Sequence, residues 1–156
     1  MLTRIRIALL GLWAGAMAFF SFFVAPAAFA VLPSTHLAGQ VVSRTLGGLE
    51  IFGMIVGVTL LVLLLIERSP RRRTFAFEFI VIVLMIAATA LSRFVVSARL
   101  HEIRLNFGEA LGQLPVTDPA RVSFDLLHRI SVGLTGFDLL AALVLITLLV
   151  RTGRAE

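Results

Sequence analysis

Cysteine, lysine and tyrosine are all missing from the 156 residues. Without cysteine there is no disulfide, no thiolate to hold a soft metal and no sign of the redox compartment. Without lysine, all 14 basic residues are arginines, and each is a guanidinium that stays ionised. Charged residues make up only 15% of the chain, and they carry no Ser-His-Asp order, no HExxH pair and no phosphate loop. The expectation is a protein that is not an enzyme. A net charge of +5 raises nucleic acid as a partner, but the arginines are scattered over helix ends and turns and line no face with interleaved aromatics. No nucleic acid is expected; anionic lipid headgroups suit these arginines better.

What the chain has in quantity is apolar surface. Apolar residues are 59% of the total and mean hydropathy is +1.02, more than one soluble core of this length requires. The solvent is therefore a bilayer. Four stretches can cross a hydrocarbon layer of about 30 Å, which takes roughly 20 apolar residues as helix: Ile5 to Ala30, Gly47 to Ile66, Phe75 to Val96 and Phe124 to Val150. The predicted fold class is all-α, an integral membrane four-helix bundle with short amphipathic helical segments on the outer side, forming one domain over residues 1–156. Arg4 and Arg6, then Arg68 with Arg71, Arg72 and Arg73, then Arg151 and Arg154 flank the spans on one side. By the positive-inside rule that side is cytoplasmic, both termini lie inside, and the protein belongs in the inner (plasma) membrane.

The first span ends in Ala28-Phe29-Ala30, a pattern that signal peptidase could cleave. A signal core runs only about 7 to 15 apolar residues, whereas Ile5 to Val24, apolar but for Arg6 and Ser21, is long enough to span. It also carries Gly11 and Gly15 on one face with Ala8, Ala18 and Phe22, in the small-xxx-small spacing of packed membrane helices. A retained helix is expected, with cleavage after Ala30 as the alternative. Trp13 joins Gly11, Gly15, Gly53 and Gly57 as the expected helix-packing residues.

Outside the spans, Leu37, Val41, Val42 and Leu46 share a face, which predicts a short interfacial helix capped by Ser34 or Thr35 and released into the second span by a turn at Gly47-Gly48. Leu100, Ile103, Phe107, Leu111 and Leu114 extend the third helix outward as an amphipathic segment to about Gly112. Asp118 and Pro119 read as the cap and first residue of the fourth helix.

Ionisable groups are expensive inside lipid and each needs a partner, a cavity or the interface. Glu78 lies one turn from the Arg71 to Arg73 turn and reads as an interfacial ion pair. Glu50 and Arg93 fall at one depth on adjacent spans, where a buried pair is the simplest outcome; Glu50 shares its face with Gly53 and Gly57, and Arg93 with Thr89 and Ser97. On the fourth span Asp125, His128, Ser131, Thr135 and Asp138 follow one another at spacings of three, three, four and three. Such a polar stripe faces either a wet cavity or a dry hydrogen-bonded network. The candidate pocket is Glu50, Arg93, Asp125, His128, Ser131, Thr135 and Asp138. His36, His101 and His128, with Asp125 or Glu102, are the only candidate metal ligands, and no two histidines stand at close ligand spacing. A bis-histidine haem lacks a second histidine within the bilayer. No cofactor is expected, a metal ion being the alternative.

The runs "LWAGAMAFFSFFVAPAAFAVLP", "LSRFVVSARLHEIR" and "FDLLHRISVGLTGFDLL" resemble the transmembrane protein 205-like family of four-helix membrane domains of unknown function. Trp13, Gly15, the Phe22 to Pro26 region, Ser92-Arg93 and the Leu127-His128-Arg129-x-Ser131 segment carry the resemblance. A looser likeness to copper-resistance membrane domains favours the metal alternative. The family brings no activity, so the resemblance implies architecture and a retained first span. Two functions remain open: a pocket that binds or helps move a small solute, proton or metal ion, and a non-transporting scaffold whose glycine faces on the first two helices pack within or between protomers; a homo-oligomer is the expected assembly if transport occurs.

Overall fold

The computed structural model describes residues 2–67 and 72–153. Arg68, Arg71 and Arg154 of the predicted basic flanks lie outside the described residues. Four long helices follow one another: α1 (Leu2–Val31), α2 (Thr35–Glu67), α3, which begins as Arg72–Leu91, and α4 (Pro119–Gly153). Each packs on its two neighbours, with α1 closing the ring against α4. All four are long and apolar enough to cross a membrane, and large apolar side chains such as Phe22, Ile55, Ile66, Phe94 and Leu140 face outward all round the bundle. That distribution fits lipid, in which an outward leucine or phenylalanine is at no disadvantage.

Two helices are interrupted by a wider π-helical turn. In α1 it covers Phe20–Val24, just before Pro26, whose ring nitrogen has no hydrogen to give the Phe22 carbonyl. In α3 it covers Ser92–Val96, after which the helix continues as Ser97–Phe107 and ends in a 3-10 turn, Gly108–Gln113. The outward extension of the third helix is thus present, but it changes character at Gly108, whose φ of 51° is open to glycine and strained for other residues.

One expectation fails outright. The segment after Ser34 is helical as expected, but there is no turn at Gly47-Gly48 to make it a separate helix: α2 runs through both glycines as one helix of 33 residues, about 50 Å long at 1.5 Å per residue. Glycine weakens a helix but does not break it. Here a Cβ on Gly47 would lie 3.0 Å from a guanidinium nitrogen of Arg93, so the missing side chain leaves room for that arginine. The Ser34 hydroxyl caps α2 by accepting the Leu37 amide at 3.2 Å, and the Asp118 carboxylate caps α4 by accepting the Ala120 amide at 2.8 Å.

The core is a dry layer of Leu10, Leu60, Leu64, Ile82, Met85 and Leu145, each 1% exposed. Toward the chain ends, hereafter the terminal end, the Arg6 guanidinium donates to Glu67 on α2 and Glu78 on α3, and the Thr3 hydroxyl donates to Glu67 at 2.7 Å. Glu78 therefore turns inward to α1 and is buried, because Arg6 offers a fixed cation at its depth. At the opposite, distal end the Arg104 guanidinium lies on the bare backbone of Gly39, donates to Ser43 and sits 5.1 Å from the centre of the Phe124 ring.

Arg6 joins three helices, and its loss leaves two carboxylates without their cation. Arg6→Ala is expected to cost about 3–5 kcal/mol, seen as earlier thermal unfolding of the purified protein in detergent.

Candidate functional site

On the distal side of the dry layer, two acidic side chains are buried. Glu50 on α2 and Asp138 on α4 are each 5% exposed and line one cavity of about 20 Å³ with Trp13, Met17, Leu46, Leu49, Thr89, Ser92 and Thr135. That is room for about one water-sized occupant.

The π-turn of α3 builds the Glu50 half. Residues five apart on an α-helix point about 140° away from each other. Over Ser92–Val96 the bond from the Ser97 amide to the Ser92 carbonyl spans five residues, and it brings Ser92 and Ser97 to one side. Both hydroxyls donate to the same oxygen, Glu50 Oε1, at 2.6 and 2.9 Å. The other oxygen, Oε2, has no hydrogen-bond partner and lies 4.0 Å from the partly exposed Arg93 guanidinium. Arg93 is thus a charge at the rim, and the hydrogen bonds to Glu50 come from serines.

The Asp138 half is sparser. Its Oδ2 lies 2.9 Å from the Thr89 hydroxyl, and its Oδ1 has no partner. Thr135 lines the cavity but donates its hydroxyl hydrogen to the Ser131 carbonyl within α4 at 3.0 Å.

Trp13 forms the wall from α1 and is 2% exposed. A Cβ on Gly53 would fall 2.7 Å from its indole, inside contact distance, so the ring lies directly on the glycine backbone of α2. Gly57 receives Ile86 of α3 in the same way. Gly11 and Gly15 do not pack within the bundle: both are exposed, and a Cβ on either would meet nothing within 4 Å. They stand two residues to each side of Trp13, about 160° around the helix from the face that α2 and α4 cover.

The stripe on α4 also divides. Ser131 and Asp138 are buried and Thr135 is half-buried, whereas Asp125 and His128 are exposed and line no part of the cavity. Spacings averaging just over three residues fall short of the 3.6 of a helical turn, so the stripe winds about 140° round the axis between Asp125 and Asp138. His128 stacks instead on Phe124, ring centres 6.5 Å apart. Among the described residues no three His, Asp or Glu side chains gather as a metal-ligand group, and His36 is occupied with Gln40 at 2.8 Å. Sequence reasoning missed Thr89, Ser92 and Met17 in the cavity, and Arg6 with Glu67 at the terminal end. Arg6 carried a signal, since Glu67 and Glu78 lie at the same ends of the next two spans as Arg6 does of the first.

A model of the family described as "Domain of unknown function (DUF4149)" matches residues 8–106. The chain belongs to the DUF4149 family. The matched segment holds Trp13, Glu50, Gly53, Ser92 and Arg93, while α4 with Asp138 follows it. Nothing in the match names the family as transmembrane protein 205-like. No curated protein and no solved structure matches the chain.

Within this DUF4149 protein the Trp13–Gly53 contact holds the cavity wall. Gly53→Ala is expected to force the indole away at a cost of about 1–3 kcal/mol, read as a lower unfolding temperature and a red-shifted emission from Trp13.

Proposed function

We propose that this chain is a plasma-membrane protein, with both termini in the cytoplasm, that binds one small cation at an intramembrane site between Glu50 and Asp138. One observation carries this reading: two buried carboxylates on different helices each leave an oxygen, Glu50 Oε2 and Asp138 Oδ1, without a hydrogen-bond partner, and both residues line the same small cavity. Buried acceptors are normally satisfied, and an orphaned one is a place for an unseen hydrogen or cation. The size of the cavity supports an occupant no larger than a water molecule or a single ion, and excludes a larger solute from this conformation. The serines on Oε1 and Arg93 near Oε2 support a persistent anion at Glu50. Toward the terminal end the dry layer of Leu10, Leu64, Ile82, Met85 and Leu145 blocks any water path, so movement across the membrane requires that layer to part. The resemblance to transmembrane protein 205-like proteins supports the membrane setting and adds no ligand.

A second reading, a scaffold of several copies of this chain, is favoured by Gly11 and Gly15, whose open face on α1 would let a second helix approach closely.

The sole tryptophan lines the proposed site and reports on it. Titrating the purified protein with protons, sodium or potassium is expected to change Trp13 fluorescence saturably, and the change should disappear in the Glu50→Gln, Asp138→Asn double variant. Silence toward all three cations removes the binding reading. For the scaffold, light scattering on Gly11→Leu, Gly15→Leu protein should give the monomer mass while the parent gives a multiple of it; equal masses remove that reading.

A further inference from the structure

Thr89 presents a problem of hydrogen counting. Its hydroxyl carries one hydrogen, yet Oγ1 lies 3.0 Å from the Met85 carbonyl oxygen and 2.9 Å from Asp138 Oδ2. The Met85 carbonyl and an ionised carboxylate can both only accept, so a single threonine hydrogen leaves one of the two contacts empty. With the hydrogen in the usual back-bond of a helical threonine to the fourth residue before it, the empty contact is the one at 2.9 Å between Thr89 Oγ1 and Asp138 Oδ2. An ionised carboxylate has none to supply. A neutral aspartic acid has one, and donates it to Thr89.

The surroundings of Asp138 agree. To the shared cavity α1 contributes Trp13 and Met17, α2 contributes Leu46, Leu49 and Glu50, and α3 contributes Thr89 and Ser92. The only ionisable group among these is another carboxyl. Arg93 serves Glu50, and among the described residues no guanidinium pairs with Asp138. Two anions in one buried cavity repel, and a single proton removes the conflict. Glu50, with two hydroxyls on one oxygen and a guanidinium near the other, is furnished as the anion; Asp138, whose one hydroxyl neighbour is shared with the Met85 carbonyl and whose Oδ1 has no partner, is furnished as the acid.

Resting on the cation-binding reading above, we propose that the ligand of this cavity is a proton carried by the Asp138 carboxyl, with Glu50 as the fixed anion that Arg93 balances. Binding forms one O–H bond on the Asp138 carboxylate and leaves the delivering hydronium as water. Release reverses this and returns a second negative charge to the cavity. The loaded state of Arg93, Glu50 and Asp138 is neutral as a set, the condition that low-dielectric surroundings favour.

The chain contains only three aspartates, Asp118, Asp125 and Asp138, which makes infrared spectroscopy selective. The full-length protein, labelled with carboxyl-¹³C aspartate and reconstituted in phospholipid vesicles, is examined at neutral pH. One isotope-shifted C=O band of a neutral carboxylic acid is expected, lost in Asp138→Asn and lost from the parent at high pH together with the Trp13 response. Should Asp138→Asn fail to accumulate, the Asp118→Asn, Asp125→Asn variant, with Asp138 as its sole aspartate, must retain the band. Absence of the band, or its survival in Asp138→Asn, overturns the assignment. If the band is absent while Trp13 still responds to sodium or potassium, cation binding stands and the proton is wrong. A band that persists at every pH with Trp13 unresponsive makes the proton a locked structural one, and then both readings fall.

Discussion

The approach of Trp13 to Gly53 is the constraint on which the distal half of the bundle depends. An indole is the largest side chain in this core, and it reaches 2% exposure because α2 offers bare backbone where a side chain would stand. That contact sets how near α1 comes to α2, and it places the indole in the wall of the cavity that Glu50 and Asp138 line. The same device recurs with different partners: Gly57 admits Ile86, Gly47 admits the Arg93 guanidinium and Gly39 admits that of Arg104. Since lipid gives helices no hydrophobic reason to associate, close packing of this kind is the main attraction available to them.

Polar groups are arranged in two layers with a dry one between. At the terminal end a single arginine bridges two carboxylates from neighbouring helices, and a threonine completes one of them. At the distal end the arginine stands at the rim, the hydroxyls of Ser92 and Ser97 converge on one carboxylate oxygen, and Glu50 Oε2 and Asp138 Oδ1 have no hydrogen-bond partner. The terminal layer binds helices together through direct charge pairing. The distal layer keeps acceptor capacity that direct pairing would have used up, and the cation site proposed above rests on this contrast.

Much of the architecture was legible because it is one-dimensional. Four apolar runs of spanning length, Ser34 and Asp118 as caps and the outward continuation of α3 all follow from residue order and local hydrogen bonding. Depth was legible too, since a fixed rise per residue puts Glu50 and Arg93 near one level. Gly47-Gly48 was misread as a turn because glycine signals freedom, and the use α2 makes of Gly47, as a seat for Arg93, depends on a residue of another helix.

The sequence by itself determined the solvent, the number and approximate depth of the helices and the presence of buried acids, because these depend on composition and on distance along the axis. The azimuth of each helix was decided only by the tertiary structure. Rotation about the axis put Trp13 inward and Gly11 and Gly15 outward, separated Asp138 from Asp125 and His128, and turned Glu78 toward Arg6. The π-turn that aligns Ser92 with Ser97 belongs to this second class. Azimuth is set where four helices pack at once, and no single helix carries that information in its own periodicity.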